Sequence, residues 1–211
     1  SQRTQPRGSV LLQHFDRNIA GVLPTSRALY EQADRFFGNE LPELIGLPEL
    51  QQVSYLETES MPLASLEDSD WGKTAAQGLN RRDLSYGTFF HMTGMMDNIE
   101  IIEGRAPTTE VTMIPDGSGG QMPLLEALMI NDSLDNLGLF VGDRIKVVFK
   151  DPNTENELLI GAVLVGRFVP KDPKSPYWLY NVETAFDRGA MYIERETYLG
   201  DLVERHPEIF H

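Results

Sequence analysis

The feature that most constrains this chain is the way glycine punctuates its second half. Between Leu124 and Val169, short apolar runs are separated by Gly138, by Gly142 with Asp143 after it, and by Asp151-Pro152-Asn153. Glycine adopts left-handed backbone without steric cost, and Asp or Asn beside it folds a turn through its own side chain. The spacing therefore predicts a strand over 124–130, a short helix over 131–137 ended by Gly138, and a strand over 144–149 entered through Gly142-Asp143. After the next turn, a long strand over 158–169 returns as a hairpin.

The first half is punctuated differently. Val10, Leu11, Phe15, Ile19 and Val22 recur at spacings of three and four, which predicts an amphipathic helix ending at Pro24. A second helix follows, capped by Thr25 or Ser26, with Leu29, Ala33, Phe36 and Phe37 as its stripe and Gly38 as its stop. Alternation around Val53, Tyr55 and Leu56 predicts a strand between Pro48 and Leu63, whereas 64–80 has no sustained period. The stretches 83–92 and 98–103 read as strands. The Gly/Pro-rich 104–123, with Asp116-Gly117-Ser118-Gly119-Gly120 as a flexible linker, is the best internal boundary. A strand around 191–193 and a helix over about 196–205 close the sequence.

Composition bounds the function. With 211 residues, 41% of them apolar, the chain suits one or two ordinary domains. Its 32 acidic and 18 basic residues give a net charge of -14, which repels nucleic-acid phosphates and anionic headgroups. Without cysteine there is no disulfide, thiolate nucleophile or Cys-ligated metal. The longest small-and-apolar stretch, 158–166, has nine residues, about half of the ~20 that a spanning helix needs. No basic region followed by an apolar run opens the sequence, so no signal peptide is expected within it.

Chemical motifs fail one after another. His14, His91, His206 and His211 lack zinc-ligand spacing, and no G-x-S-x-G elbow announces a serine nucleophile. The run from Asp151 imitates a calcium loop, but Asn156 holds the place of its glycine and Ala162 that of its bidentate Glu. Glu67, Asp68 and Asp70 read as a solvated acidic loop. Gly117–Gly120 lacks the Lys-Ser/Thr of a phosphate loop, and Asn131-Asp132-Ser133, formally a glycosylation sequon, reads more simply as a helix cap. No catalytic, cofactor-binding or metal-binding residue is predicted. Tyr177, Trp178 and Tyr180 are the candidate partner contacts, because amphipathic rings anchor interfaces. Core packing is the competing reading, and exposure of Trp178 is the condition for a contact patch.

Three blocks taken in order carry a resemblance. They are Ile99-Glu100-Ile101-Ile102-Glu103-Gly104-Arg105-Ala106-Pro107, then 126–134 with Leu137-Gly138-Leu139-Phe140-Val141-Gly142-Asp143-Arg144-Ile145, then Val163-Leu164-Val165-Gly166-Arg167-Phe168. The chain in these blocks resembles the extracytoplasmic, MacB-like periplasmic core domain of FtsX/MacB-type ABC transporter permeases. The resemblance implies an α+β fold: a mixed sheet with N-terminal helices, and a smaller, mostly β lobe. Residues 1–103 and 170–211 would form the membrane-proximal lobe and 104–169 the smaller one. It also implies a non-catalytic domain on the extracytoplasmic face, tethered by transmembrane helices outside this sequence. Such a domain moves with ATP hydrolysis by a separate cytoplasmic ATPase subunit and engages a protein or lipophilic substrate.

Two rival readings make different structural demands. A stand-alone β-barrel binding module built around Leu137 to Phe149 requires that the sheet close. A hydrolase with a cryptic carboxylate or histidine site requires a deep pocket of convergent ionisable groups.

Overall fold

The computed structural model describes residues 26–46, 52–66, 86–150, 157–178, 182, 186 and 189–210. The expected helix over 10–23, the acidic run 67–70 and the turn at Asp151-Pro152-Asn153 lie outside them.

Ser26 opens the first helix, α1 (Arg27–Arg35), its hydroxyl accepting from the Leu29 N–H. Gly38 does not end this helical arm. The backbone widens into a π-wound turn, Phe36–Glu40, and continues as α2 (Leu41–Ile45) to Gly46, whose φ of 63° provides the left-handed ending. Pro42, which has no N–H to give to the preceding turn, sits just after this widened turn.

Among the described residues nine strands follow: β1 (Tyr55–Glu57), β2 (Met61–Ser65), β3 (Tyr86–Met92), β4 (Ile99–Gly104), β5 (Thr112–Pro115), β6 (Gln121–Ile130), β7 (Arg144–Lys150), β8 (Glu157–Pro170) and β9 (Ala190–Tyr192). A single turn, α3 (Met95–Asn98), precedes β4, and α4 (Asn131–Leu137) joins β6 to β7. The π-wound helix Thr197–Glu204 and the 3-10 turn Pro207–Phe210 follow β9. The fold is α+β with a mixed sheet, the β3–β9 and β6–β8 pairs being parallel and the others antiparallel.

The sheet closes. β8, β7, β2, β3, β9 and β6 are bonded in that order, and β6 pairs back onto β8 to complete a six-stranded barrel. β4 extends from β8, β5 from β6 and β1 from β3. β1 and β2 pair with successive stretches of β3, at 90–92 and 86–87, and the Thr58 N–H on the Phe89 carbonyl bridges the two. Hydrogen bonding crosses both expected lobe boundaries: β4 spans 103/104, β8 spans 169/170, and the two strands pair with each other.

Alternation along the strands sorts the side chains into two cores. Inside the barrel lie Leu63, Phe89, Leu125, Ala127, Met129, Ile145, Val147, Ile160, Ala162, Leu164 and Met191, and Tyr198 and Leu202 of the π-wound helix belong to the same cluster. The intervening residues Phe90, Leu128, Ile130 and Tyr192 face outward and are covered by Tyr177, Trp178, Val182 and Phe186 from the segment between β8 and β9. Burial on both faces explains why β6 is apolar almost throughout.

One irregularity allows β8 to serve both cores. Ala127 pairs with Leu164 and Leu128 with Gly166, which leaves Val165 as an extra residue. The bulge exchanges the two faces of the strand, so Leu164 points into the barrel and Phe168 into the outer cluster.

The glycine-rich run 117–120 is a hairpin loop between β5 and β6 rather than a flexible linker. The Asp116 carboxylate accepts from the Ser118 N–H, the Ser118 hydroxyl and the Gly120 N–H, which fixes the loop and lowers the pKa of Asp116.

Candidate functional site

Among the described residues, a densely bonded junction forms where β4, the α4–β7 turn and the centre of β8 meet. Gly104, at a φ of 78°, turns the chain out of β4, and the Arg105 N–H donates to the Val165 carbonyl at 2.9 Å. A side chain on Gly104 would run into the Val165 carbonyl and the Gly166 backbone, and one on Gly166 would come within 2.8 Å of the Glu103 and Arg105 carbonyls. Glycine is required at both positions because two main chains cross in contact.

The α4 side of the junction is built from backbone bonds. Gly138, at a φ of 66°, and Leu139 return their N–H groups to the Asp135 and Leu134 carbonyls, the paired bonds of a Schellman ending. In the turn that follows, the Asp143 carboxylate accepts from the Phe140 N–H at 2.9 Å. Gly142 then donates to the Leu164 carbonyl at 2.7 Å and the Leu164 N–H to the Asp143 carbonyl at 3.0 Å, which locks the turn onto β8 just before the Val165 bulge. The Phe140 ring stands 72% exposed beside it.

Two arginines clamp the junction. Arg105 grips Glu126 of β6 with both terminal nitrogens, and the Thr108 N–H adds a third bond at 2.8 Å. The Arg105 bonds hold the Glu126 carboxyl down at about 2, so it stays ionised at neutral pH. Arg167 pairs with Glu103 of β4 at 2.7 Å and with Asp135 of α4 at 3.4 Å, while its Nε is buried without a partner. These side chains tie β4, β6, β8 and α4 together, the two arginines standing against three carboxylates.

Asn131 does not cap α4. Ile130 occupies the position before the helix without a side-chain bond, and the Asn131 amide donates to Asp132 and, at 3.4 Å, to Asp135. Ser133 is fully buried, and its hydroxyl accepts from the Gly189 N–H.

The aromatic candidates are placed elsewhere. Tyr177 and Trp178 are buried in the outer core, 4% and 8% exposed, with ring centroids 4.7 Å apart in an edge-on pair. Their polar ends are satisfied by backbone: the Tyr177 hydroxyl donates to the Thr93 carbonyl and the Trp178 Nε1–H to the Asp172 carbonyl. Satisfied in this way, both rings cost little to bury, and they pack with Phe186 rather than presenting a contact patch. Tyr180 lies outside the described residues. Sequence reasoning passed over the Arg105–Glu126 and Arg167 clamps, for which the repeated Gly-Arg at 104–105 and 166–167 was the available signal.

His91 is buried in the barrel wall, with Nδ1 3.2 Å from the Ile193 carbonyl, and burial lowers its pKa. Among the described residues no group of three or more His, Asp or Glu side chains is placed to hold a metal, and no helix is long and apolar enough to cross a membrane.

The fold and junction together define a closed six-stranded α+β barrel braced on one side by glycine contacts and arginine clamps. No protein-family model matches the chain, and no curated protein matches it either.

Proposed function

We propose that this chain is a non-catalytic extracytoplasmic domain of an FtsX/MacB-type ABC permease. In this role it couples ATP-driven movement to engagement of a protein or lipophilic substrate outside the membrane. The observation that supports this reading is convergence. The three blocks that carry the resemblance are separated by up to tens of residues in the chain, yet Gly104-Arg105 and Gly142-Asp143 both bond to the 164–167 segment of β8. A rigid barrel with its crossing strands clamped by Arg105 and Arg167 suits transmission of force, because a stiff body passes displacement on without dissipating it internally.

The test is the gene on either side. Apolar stretches of about 20 residues encoded before Ser1 and after His211, with co-purification of a cytoplasmic ATPase by the full-length product, are the expected result. Polar sequence on both sides overturns it.

Closure of the sheet supports a second reading, a stand-alone β-barrel binding module built around Leu137 to Phe149. The same gene sequence separates the two, since a stand-alone module has no membrane-spanning neighbour.

A further inference from the structure

The barrel ring is complete without the N-terminal helical arm: β2, β3, β6, β7, β8 and β9 close on one another, and no strand pairing involves residues 27–45. The arm nonetheless rests on the barrel. Arg27 pairs with Glu196 at 2.9 Å, Asp34 accepts from Arg195, and the Ser54 hydroxyl donates to the other Asp34 oxygen at 3.3 Å. Tyr30 packs, partly buried, against the barrel core. No residue of α1 or of the π-wound turn after it is buried, whereas the helix Thr197–Glu204 beneath buries Thr197, Tyr198, Leu199, Leu202 and Val203. The arm also leaves Phe36 and Leu44 exposed.

We propose that α1 is a charge-held latch that leaves and rejoins the barrel as a unit while the barrel stays closed. Among the described residues its docking includes ion pairs to the adjacent residues Arg195 and Glu196, a hydroxyl bond from Ser54 and the half-buried Tyr30 ring, and no residue of α1 is buried. Partly exposed pairs of this kind hold weakly and are screened by salt. The arm's helical winding is also interrupted by the π-wound turn holding Gly38 and by Pro42, so the nine-residue α1 segment is marginal once its contacts are gone. Release therefore melts α1, and among the described residues no barrel strand pairing has to break. The inference does not depend on the permease reading.

Amide hydrogen exchange on the whole chain tests it. Raising salt from about 0.1 M to about 1 M shortens the screening length from about 10 Å to about 3 Å. The expected result is faster exchange in 27–35 with no change in β6 and β8. Arg195→Gln removes the Asp34 partner and should speed exchange in α1 about three- to fivefold at low salt. The charge-reversed pair Asp34→Arg with Arg195→Asp should recover part of the loss. Exchange in α1 that is insensitive to salt overturns the proposal. So does exchange that quickens only in step with β6 and β8, which would make the arm part of the barrel's cooperative unit. The salt series on the unaltered chain decides the matter even if a variant fails to fold.

Discussion

Replacing Gly104 with alanine tests the junction most directly, because two separable costs act there. The backbone at Gly104 has a φ of 78°, and left-handed backbone costs an L-residue about 1–2 kcal/mol. The added methyl would also press on the Val165 carbonyl and lie 2.7 Å from the Gly166 Cα. These are main-chain atoms of a paired strand and cannot swing aside, so overpacking adds about 1–3 kcal/mol. Gly138→Ala isolates the first cost, since φ is 66° and nothing lies within 4 Å of the new methyl. Gly166→Ala isolates the second, since the contacts at 2.8 Å with the Glu103 and Arg105 carbonyls come without positive φ. The expected losses are about 2–5 kcal/mol for Gly104→Ala, about 1–2 for Gly138→Ala and about 1–3 for Gly166→Ala. Urea unfolding followed by circular dichroism reads them as midpoint shifts at constant slope. With a slope of about 2 kcal/mol/M, Gly104→Ala moves the midpoint down by about 1–2.5 M and Gly138→Ala by about 0.5–1 M. Equal shifts for these two variants would refute the crossing contact as the reason for glycine at 104.

Three other expectations are open to measurement. Because the Glu126 carboxyl is held at about 2 by Arg105, its contribution is complete above the ordinary carboxylate range and is lost as pH falls toward about 2. Glu126→Gln should therefore flatten the acid limb of a stability-pH curve and cost about 1 kcal/mol at neutral pH, with an unchanged acid limb as the contrary result. His91 works through the opposite charge state: burial depresses its pKa, so the unfolded chain takes up the proton first and stability falls as pH drops below the ordinary histidine value. His91→Phe should remove that slope in denaturant midpoints measured on either side of it. Trp178→Ala should cost about 3–5 kcal/mol as a core truncation, whereas Phe140→Ser at an exposed ring should stay within about 0.5 kcal/mol; a neutral Trp178 variant in thermal unfolding would contradict its place in the outer core.

Much of the fold was legible where the signal is local. The run from β6 through α4 and Gly138 to β7 lies where the apolar runs and turn residues put it, because a glycine that must be left-handed and a helix that must end can both be read within a few residues. The β7–β8 hairpin was legible for the same reason. Gly38 misled because glycine permits a helix stop without compelling one, and the widened turn carried the arm on to Gly46. The linker reading of 117–120 missed that Asp116 organises the loop from one end.

By itself, the sequence determined the identity of most elements, the glycines at the turns and the amphipathic character of Tyr177 and Trp178. Only the tertiary structure decided that β6 returns to β8 and closes the barrel, and that Val165 is the residue bulged out of register. It also decided that the Tyr177 and Trp178 rings turn inward. The physical reason is that these outcomes depend on which strand edges meet. One extra residue exchanges every side chain beyond it between faces. A ring that fits a surface equally fits a core once the Thr93 and Asp172 carbonyls are there to receive its polar end.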